Sequence, residues 1–150
     1  MGAPRSTVGA VTGPTLLVLP AADGITSLAR TFLDEYPSAL VVEPVPGSSD
    51  TGVRMCAAIN ELQPTSPVVL VAAGDAALLL PSVARSQHAS HRRISEYVLL
   101  DPELPVVTDA WPDARVTVVC EPTTEASLQA RLRGWDVLSP DEMEQWQVPD

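Results

Sequence analysis

Five carboxylates stand at or just beyond the ends of short apolar runs: Asp23, Glu43, Asp75, Asp101 and Glu121. If those runs are parallel strands, their ends line one edge of a sheet, where ligands bind at a switch in strand order. Asp23 and Asp75 would face that crevice from the first and third runs. Two carboxylates so placed can hold a cation, or split their pKa values and act as acid and base. Asp75 and Asp23 are therefore the candidate catalytic pair. The same positions suit helix N-caps, which favour Asp because orphan N–H groups and the helix dipole attract an anion.

The other reactive side chains point to less. The nine basic residues are all arginine, so Schiff-base and P-loop lysine chemistry are excluded, as is a receiver-type phosphoryl site. His88 and His91 lie three apart in SQHASHRR, a spacing that needs further ligands to hold a metal; cationic groups near a helix C-terminus are favourable without one. Neither a metal nor a cofactor is expected. Cys56 and Cys120 make no disulfide framework and read as small core residues in a reducing cytoplasm. The loop Gly47-Ser48-Ser49-Asp50 has no nucleotide-binding spacing.

The net charge of −10 makes nucleic acid an unsuitable partner, because phosphate neutralisation needs a basic face. No apolar run reaches the length of a membrane span, and the first thirteen residues lack the pattern of a signal peptide. Met1-Gly2 with Ser6 is a short formal match to an N-myristoylation pattern. A lysine-free composition rich in Ala, Val, Pro and Arg is what a GC-rich bacterial gene produces. The expected organisation is a flexible lead over 1–13 and one α/β domain over 14–150.

The elements that must position the carboxylates follow from the apolar pattern. Runs at 15–19, 39–43, 67–72, 96–100, 115–120 and 135–138 are nearly continuous in Val, Leu and Ile, as in strands covered on both faces. Helical stripes lie between them. Ile25, Leu28, Phe32 and Leu33 mark 25–36; Val53, Met55, Cys56, Ile59 and Leu62 mark 53–62. Leu78, Leu79, Leu80 and Val83 mark 75–89, where Pro81 is tolerable only in the first turn or two. A fourth helix over 124–133 has Thr123 or Thr124 as its cap. Strand–helix alternation implies a three-layer, doubly wound, mostly parallel sheet of about six strands. The connection DPELPVVTDAWPDA, 101–114, carries three prolines and little helical pattern, so one sheet face should be thinly covered there.

The segment PVVLVAAGDAALLLPSVAR, 67–85, resembles the strand, elbow and helix of α/β-hydrolases, in which a strand runs into G-x-S-x-G and then a helix. TLLVLP resembles the strand before that family's oxyanion loop, and EYVLLDPELP and RVTVVCEP follow in the family's order. The resemblance spans 14 to about 140 and implies strand order 2-1-3-4-5-6, without a lid. It also places Gly74 where the nucleophilic serine belongs, within Ala72-Ala73-Gly74-Asp75-Ala76. The loop Ala21-Ala22-Asp23-Gly24 lacks the usual His-Gly, the acid position falls near Glu121 or Thr123, and no histidine follows the last strand. A serine nucleophile without a base does not turn over, so ordinary serine hydrolase activity is not expected. A one-residue shift would put Asp75 at the elbow, still without a histidine.

Two functional expectations follow. In one, the chain is a degenerate hydrolase-like domain that binds a small molecule or protein partner, with Ala22, Ala73, Gly74, Asp101 and Glu121 around the site. In the other, it is an isomerase-, epimerase- or cyclase-type enzyme using Asp75 and Asp23. Homo-oligomerisation is expected through the thin 101–114 side, where Val106, Val107 and Trp111 need cover.

Overall fold

The computed structural model describes residues 13–47 and 50–149. The lead over 1–12, the Met1-Gly2/Ser6 match, and Ser48 and Ser49 lie outside the described residues. Six parallel strands form one sheet: β1 (Thr15–Leu19), β2 (Leu40–Val41), β3 (Val68–Ala73), β4 (Ile94–Leu100), β5 (Arg115–Val119) and β6 (Asp136–Leu138). Their order is β2-β1-β3-β4-β5-β6, so the strand order reverses between β1 and β3. The pairing Leu17↔Leu70 and Leu70↔Tyr97 runs through the centre, where β3 is buried along its whole length. A strand covered on both faces has no use for polar alternation, which is why these runs are continuous.

Helix α1 (Ser27–Glu35) packs on one face with Leu28, Ala29 and Phe32 inward. Helices α2 (Thr51–Leu62), α3 (Leu80–Ala89) and α4 (Glu125–Leu132) cover the other. Each boundary has a local cause. Thr26 caps α1, Asp50 caps α2 and Thr124 caps α4, each accepting a backbone N–H through its side chain. The expected 75–89 helix is two pieces, a 3-10 segment Gly74–Leu79 followed by α3. Pro81 falls in the first turn of α3, where its missing N–H breaks no bond. Val53, Leu62 and Leu78, expected on buried stripes, are exposed. Helix α2 buries Gly52, Met55, Ala58 and Ile59 instead, a face that excludes Val53.

The 101–114 connection corrects an expectation. It has no helix, yet the sheet face beneath it is covered by the loop itself. Trp111 is 2% exposed and stacks edge-on between Tyr97, at 5.4 Å, and Trp135, at 5.9 Å. The Arg133 guanidinium lies 4.9 Å from the Trp135 ring and donates to the Pro105 carbonyl. The expected need for a second subunit to cover Trp111 therefore disappears; of the large apolar side chains in this segment, Val106 and Val107 are exposed.

On the opposite face, the acidic tail also does more than the sequence implies. A 3-10 turn over Pro140–Gln145 sets Met143 and Trp146 into the core beside Phe32 and Tyr36. The indole Nε1 of Trp146 and the hydroxyl of Thr117 both donate to Oε2 of Glu96, at 2.8 and 2.6 Å. Those two bonds compensate a carboxylate that is 2% exposed in the middle of a strand. Among the described residues, no helix is long and apolar enough to cross a membrane.

Candidate functional site

The carboxyl edge of the sheet is built around a sharp turn after β3. Gly74 adopts φ +55°, a left-handed conformation that costs a side-chain-bearing residue about 1–2 kcal/mol. A β-carbon at this position would lie 3.2 Å from that of Ala21, so the turn and the loop after β1 approach too closely for one to be added freely. Asp75 follows, and its Oδ1 accepts the backbone N–H of Ala22 at 2.9 Å. The Ala22 loop is closed by Gly24 N–H donating to the Ala21 carbonyl at 3.0 Å. From the other side, Glu103 N–H donates to the Gly74 carbonyl at 3.1 Å. Three loops from β1, β3 and β4 are thus tied together at one point.

Beside this junction lies a cavity of about 390 Å³. Its apolar wall includes Pro20, Pro44, Met55, Leu78 and Leu79, and its charged groups are Asp75 and Arg54. Arg54, in the first turns of α2, donates from Nη2 to the Thr51 hydroxyl at 3.2 Å. The lining thus combines the Asp75 carboxylate, the Arg54 guanidinium and Thr51 with mostly apolar side chains, at the point where strand order reverses.

The candidate residues are not all brought together. Asp75, half-buried, lines the cavity with Ala22. Gly74 forms the junction, and Ala73 is the buried last residue of β3. Asp23 is exposed, does not line the cavity and does not cap α1, a role taken by Thr26. Asp101 begins the loop next to Gly74's, since Ala73 pairs with Leu100; its N–H donates to the Val119 carbonyl. Partial desolvation holds its carboxyl above the usual carboxylate range. Glu121 is exposed beyond β5. Glu43 lines a different cavity, of about 420 Å³, on the α1 side of β1.

The histidines are remote from Asp75, because α3 separates them. His88 Nε2 meets Asp113 Oδ2 at 2.5 Å near the C-terminal end of that helix. The other oxygen of Asp113 accepts the Tyr97 hydroxyl. Burial, and then the Asp113 contact, push that hydroxyl well above its ordinary range. His91 is exposed beyond the helix with φ +60°. Among the described residues no group of three or more His, Cys, Asp and Glu side chains could hold a metal. Arg54 and Met55 were missed by the sequence reading. Their signal was available: a helix entered directly from a parallel strand starts at the carboxyl edge.

No protein-family model and no curated sequence matches the chain. Solved structures do. A protein described as a YdeN-like hydrolase from Pectobacterium atrosepticum superposes with TM-score 0.59 at 14% identity, over 85% of this chain and 76% of that one. The NocB thioesterase domain, solved as a covalent complex with a fluorophosphonate nocardicin G analog, superposes with TM-score 0.55 at 17% identity, over 89% of this chain and 88% of that one. The fold is that of the α/β-hydrolases, with the six-stranded parallel sheet and flanking helices of these neighbours.

Proposed function

We propose that this is a hydrolase-fold domain that binds a small molecule at its carboxyl edge without hydrolysing it. The observation that carries the proposal is Gly74, which occupies the left-handed turn after β3 with no side chain and little room for one. In this fold that turn presents the nucleophile, and the oxyanion is held by the N–H of the next residue and an N–H from the loop after the earlier strand. Here the loop donor, Ala22 N–H, is already taken by the Asp75 carboxylate. A negative group where negative charge must develop opposes acyl transfer electrostatically. The two described histidines stand at the far end of α3 from the turn, so neither is placed to activate a nucleophile there.

A second reading, acid/base isomerisation or cyclisation by Asp75 and Asp23, draws on the bond joining Asp75 to the loop that carries Asp23. Exposure of Asp23 outside the cavity weakens it. Assays on short p-nitrophenyl esters separate hydrolysis from binding. The wild type is expected to match buffer, and neither Gly74→Ser nor Asp75→Asn should raise the rate. A wild-type rate clearly above buffer that is lost in both variants would overturn the proposal.

A further inference from the structure

A separate polar cavity lies at the opposite edge of the sheet from Asp75, where β5 and β6 begin. It holds about 360 Å³, and its lining includes Arg115, Thr117, Asp136, Gln145, Trp146 and Gln147. Glu96 pairs with Arg115 across the strands, and Thr117 with Asp136. Strand alternation puts these four on the sheet face that Val98, Leu100, Val119 and Leu138 continue as core. Glu96 is 2% exposed, and both of its donors, the Thr117 hydroxyl and the Trp146 indole, line the cavity. Both bonds go to Oε2; among the described residues, Oε1 accepts none. A glutamine carbonyl would serve those two neutral donors at a lower desolvation cost, so seating the tail does not require the charge. Arg115 gives Nε and Nη2 to Oδ2 of Asp136, at 2.8 and 2.7 Å, and that pair is neutral as a unit. The Arg115 guanidinium is held above its usual range first by Asp136 and then by Glu96, so the field of the buried carboxylate reaches the lining. The cavity is left with one negative charge, within a chain of net charge −10.

We propose that this cavity takes a small primary ammonium, its N–H groups on Oε1 of Glu96 and Oδ1 of Asp136. Asp136 uses only Oδ2 for Arg115, and the side-chain carbonyls of Gln145 and Gln147 are further acceptors on the same lining. An ammonium is a compact charge with three rotatable donors, which suits acceptors spread over several side chains. A guanidinium matches both oxygens of one carboxylate with its fork, and each carboxylate here has one oxygen already engaged. A divalent metal ion needs several converging oxygen ligands, which the described residues do not bring together.

The probe is ethylammonium, titrated into the millimolar range at fixed ionic strength beside potassium and tetramethylammonium, which has no N–H donor. Binding is read at the indole N–H signal of Trp146 in nitrogen-labelled protein, with Trp111 and Trp135, on the other sheet face, as internal references. Ethylammonium should shift the Trp146 signal to saturation, and the other two cations should not. Glu96→Gln keeps an acceptor for Trp146 and Thr117 but removes the charge. It should weaken ethylammonium by about tenfold or more, the scale of one charge-assisted hydrogen bond. Glu61→Gln, at an exposed position of α2 on the other sheet face, removes the same charge away from the cavity and should change nothing. Urea melts verify that each variant is folded, and the comparison of cations on the wild type decides the matter even if Glu96→Gln is not. Equal responses to the three cations, undiminished binding in Glu96→Gln, or no shift at Trp146 overturns the inference. Guanidinium binding more tightly than ethylammonium overturns it as well.

Discussion

Replacing Gly74 by alanine tests the geometry on which the site depends. The wild-type φ of +55° lies in the left-handed region, which costs an L-residue about 1–2 kcal/mol. The new methyl would also meet the Ala21 β-carbon at 3.2 Å, inside ordinary carbon–carbon contact, adding about 0.5–1 kcal/mol unless the loop gives way. The total is about 1.5–3 kcal/mol, which for a domain near 150 residues lowers the melting temperature by roughly 3–12 °C. Gly134 provides the control, because its φ is +79° and nothing lies within 4 Å of a β-carbon there. Gly134→Ala should therefore show the conformational cost alone. Adding Ala21→Gly to Gly74→Ala removes the contact, so the cycle should return a coupling of about 0.5–1 kcal/mol. Urea melts with unchanged slope are the measurement. If Gly74→Ala melts like wild type, the turn is not left-handed. If it costs no more than Gly134→Ala and shows no coupling to Ala21, the turn and loop are not in contact.

Trp111→Ala should destabilise the chain by about 3–5 kcal/mol, as for other buried aromatics, while sedimentation stays that of wild type; a changed association state at equal stability would put Trp111 in an interface instead. Glu96→Leu removes the acceptor of both Trp146 Nε1 and Thr117 Oγ1 and should cost about 2–4 kcal/mol. Glu96→Gln should recover most of that in denaturant melts, and equal losses in the two variants would mean that the bonds are not what matters. Hydrogen bonds from the Ser139 backbone N–H and then its side chain hold the Glu142 carboxyl below its usual range. A carboxyl depressed in the folded state stabilises it above the unfolded value and loses that contribution as pH falls through the folded value. The Pro140–Gln145 turn should therefore loosen below the ordinary glutamate range, reported by Trp146 fluorescence. Glu142→Gln should flatten that transition, and an unchanged acid profile would count against the cap.

Much of the architecture was legible in the chain because its cause is local. A strand buried on both faces must be apolar at every position, so the runs around Leu17, Leu70 and Leu99 announce a parallel sheet without knowledge of their neighbours. Caps and breakers work over three or four residues, which is why Thr124 and Pro81 could be placed. Gly74 and Asp75 could be put at the turn after β3 for the same reason. The sheet order 2-1-3-4-5-6 came from resemblance to a family, and the pairings agree with it.

The tertiary structure decided the rest, because the deciding contacts join distant residues. Asp75 bonds Ala22 across 53 positions, Glu96 bonds Trp146 across 50, and His88 meets Asp113 across 25. No periodicity carries such information. Trp111 looked like a side chain in want of a partner, since a proline-rich connection shows no inward face in its own sequence. Only when Tyr97 and Trp135 stand on either side of it does the loop become the missing cover of the sheet. The carboxylates illustrate the same division. Sequence placed all five at strand ends, but a strand end has a direction as well as a position. The fold turned Asp75 into a cavity with Arg54, and left Asp23 in water.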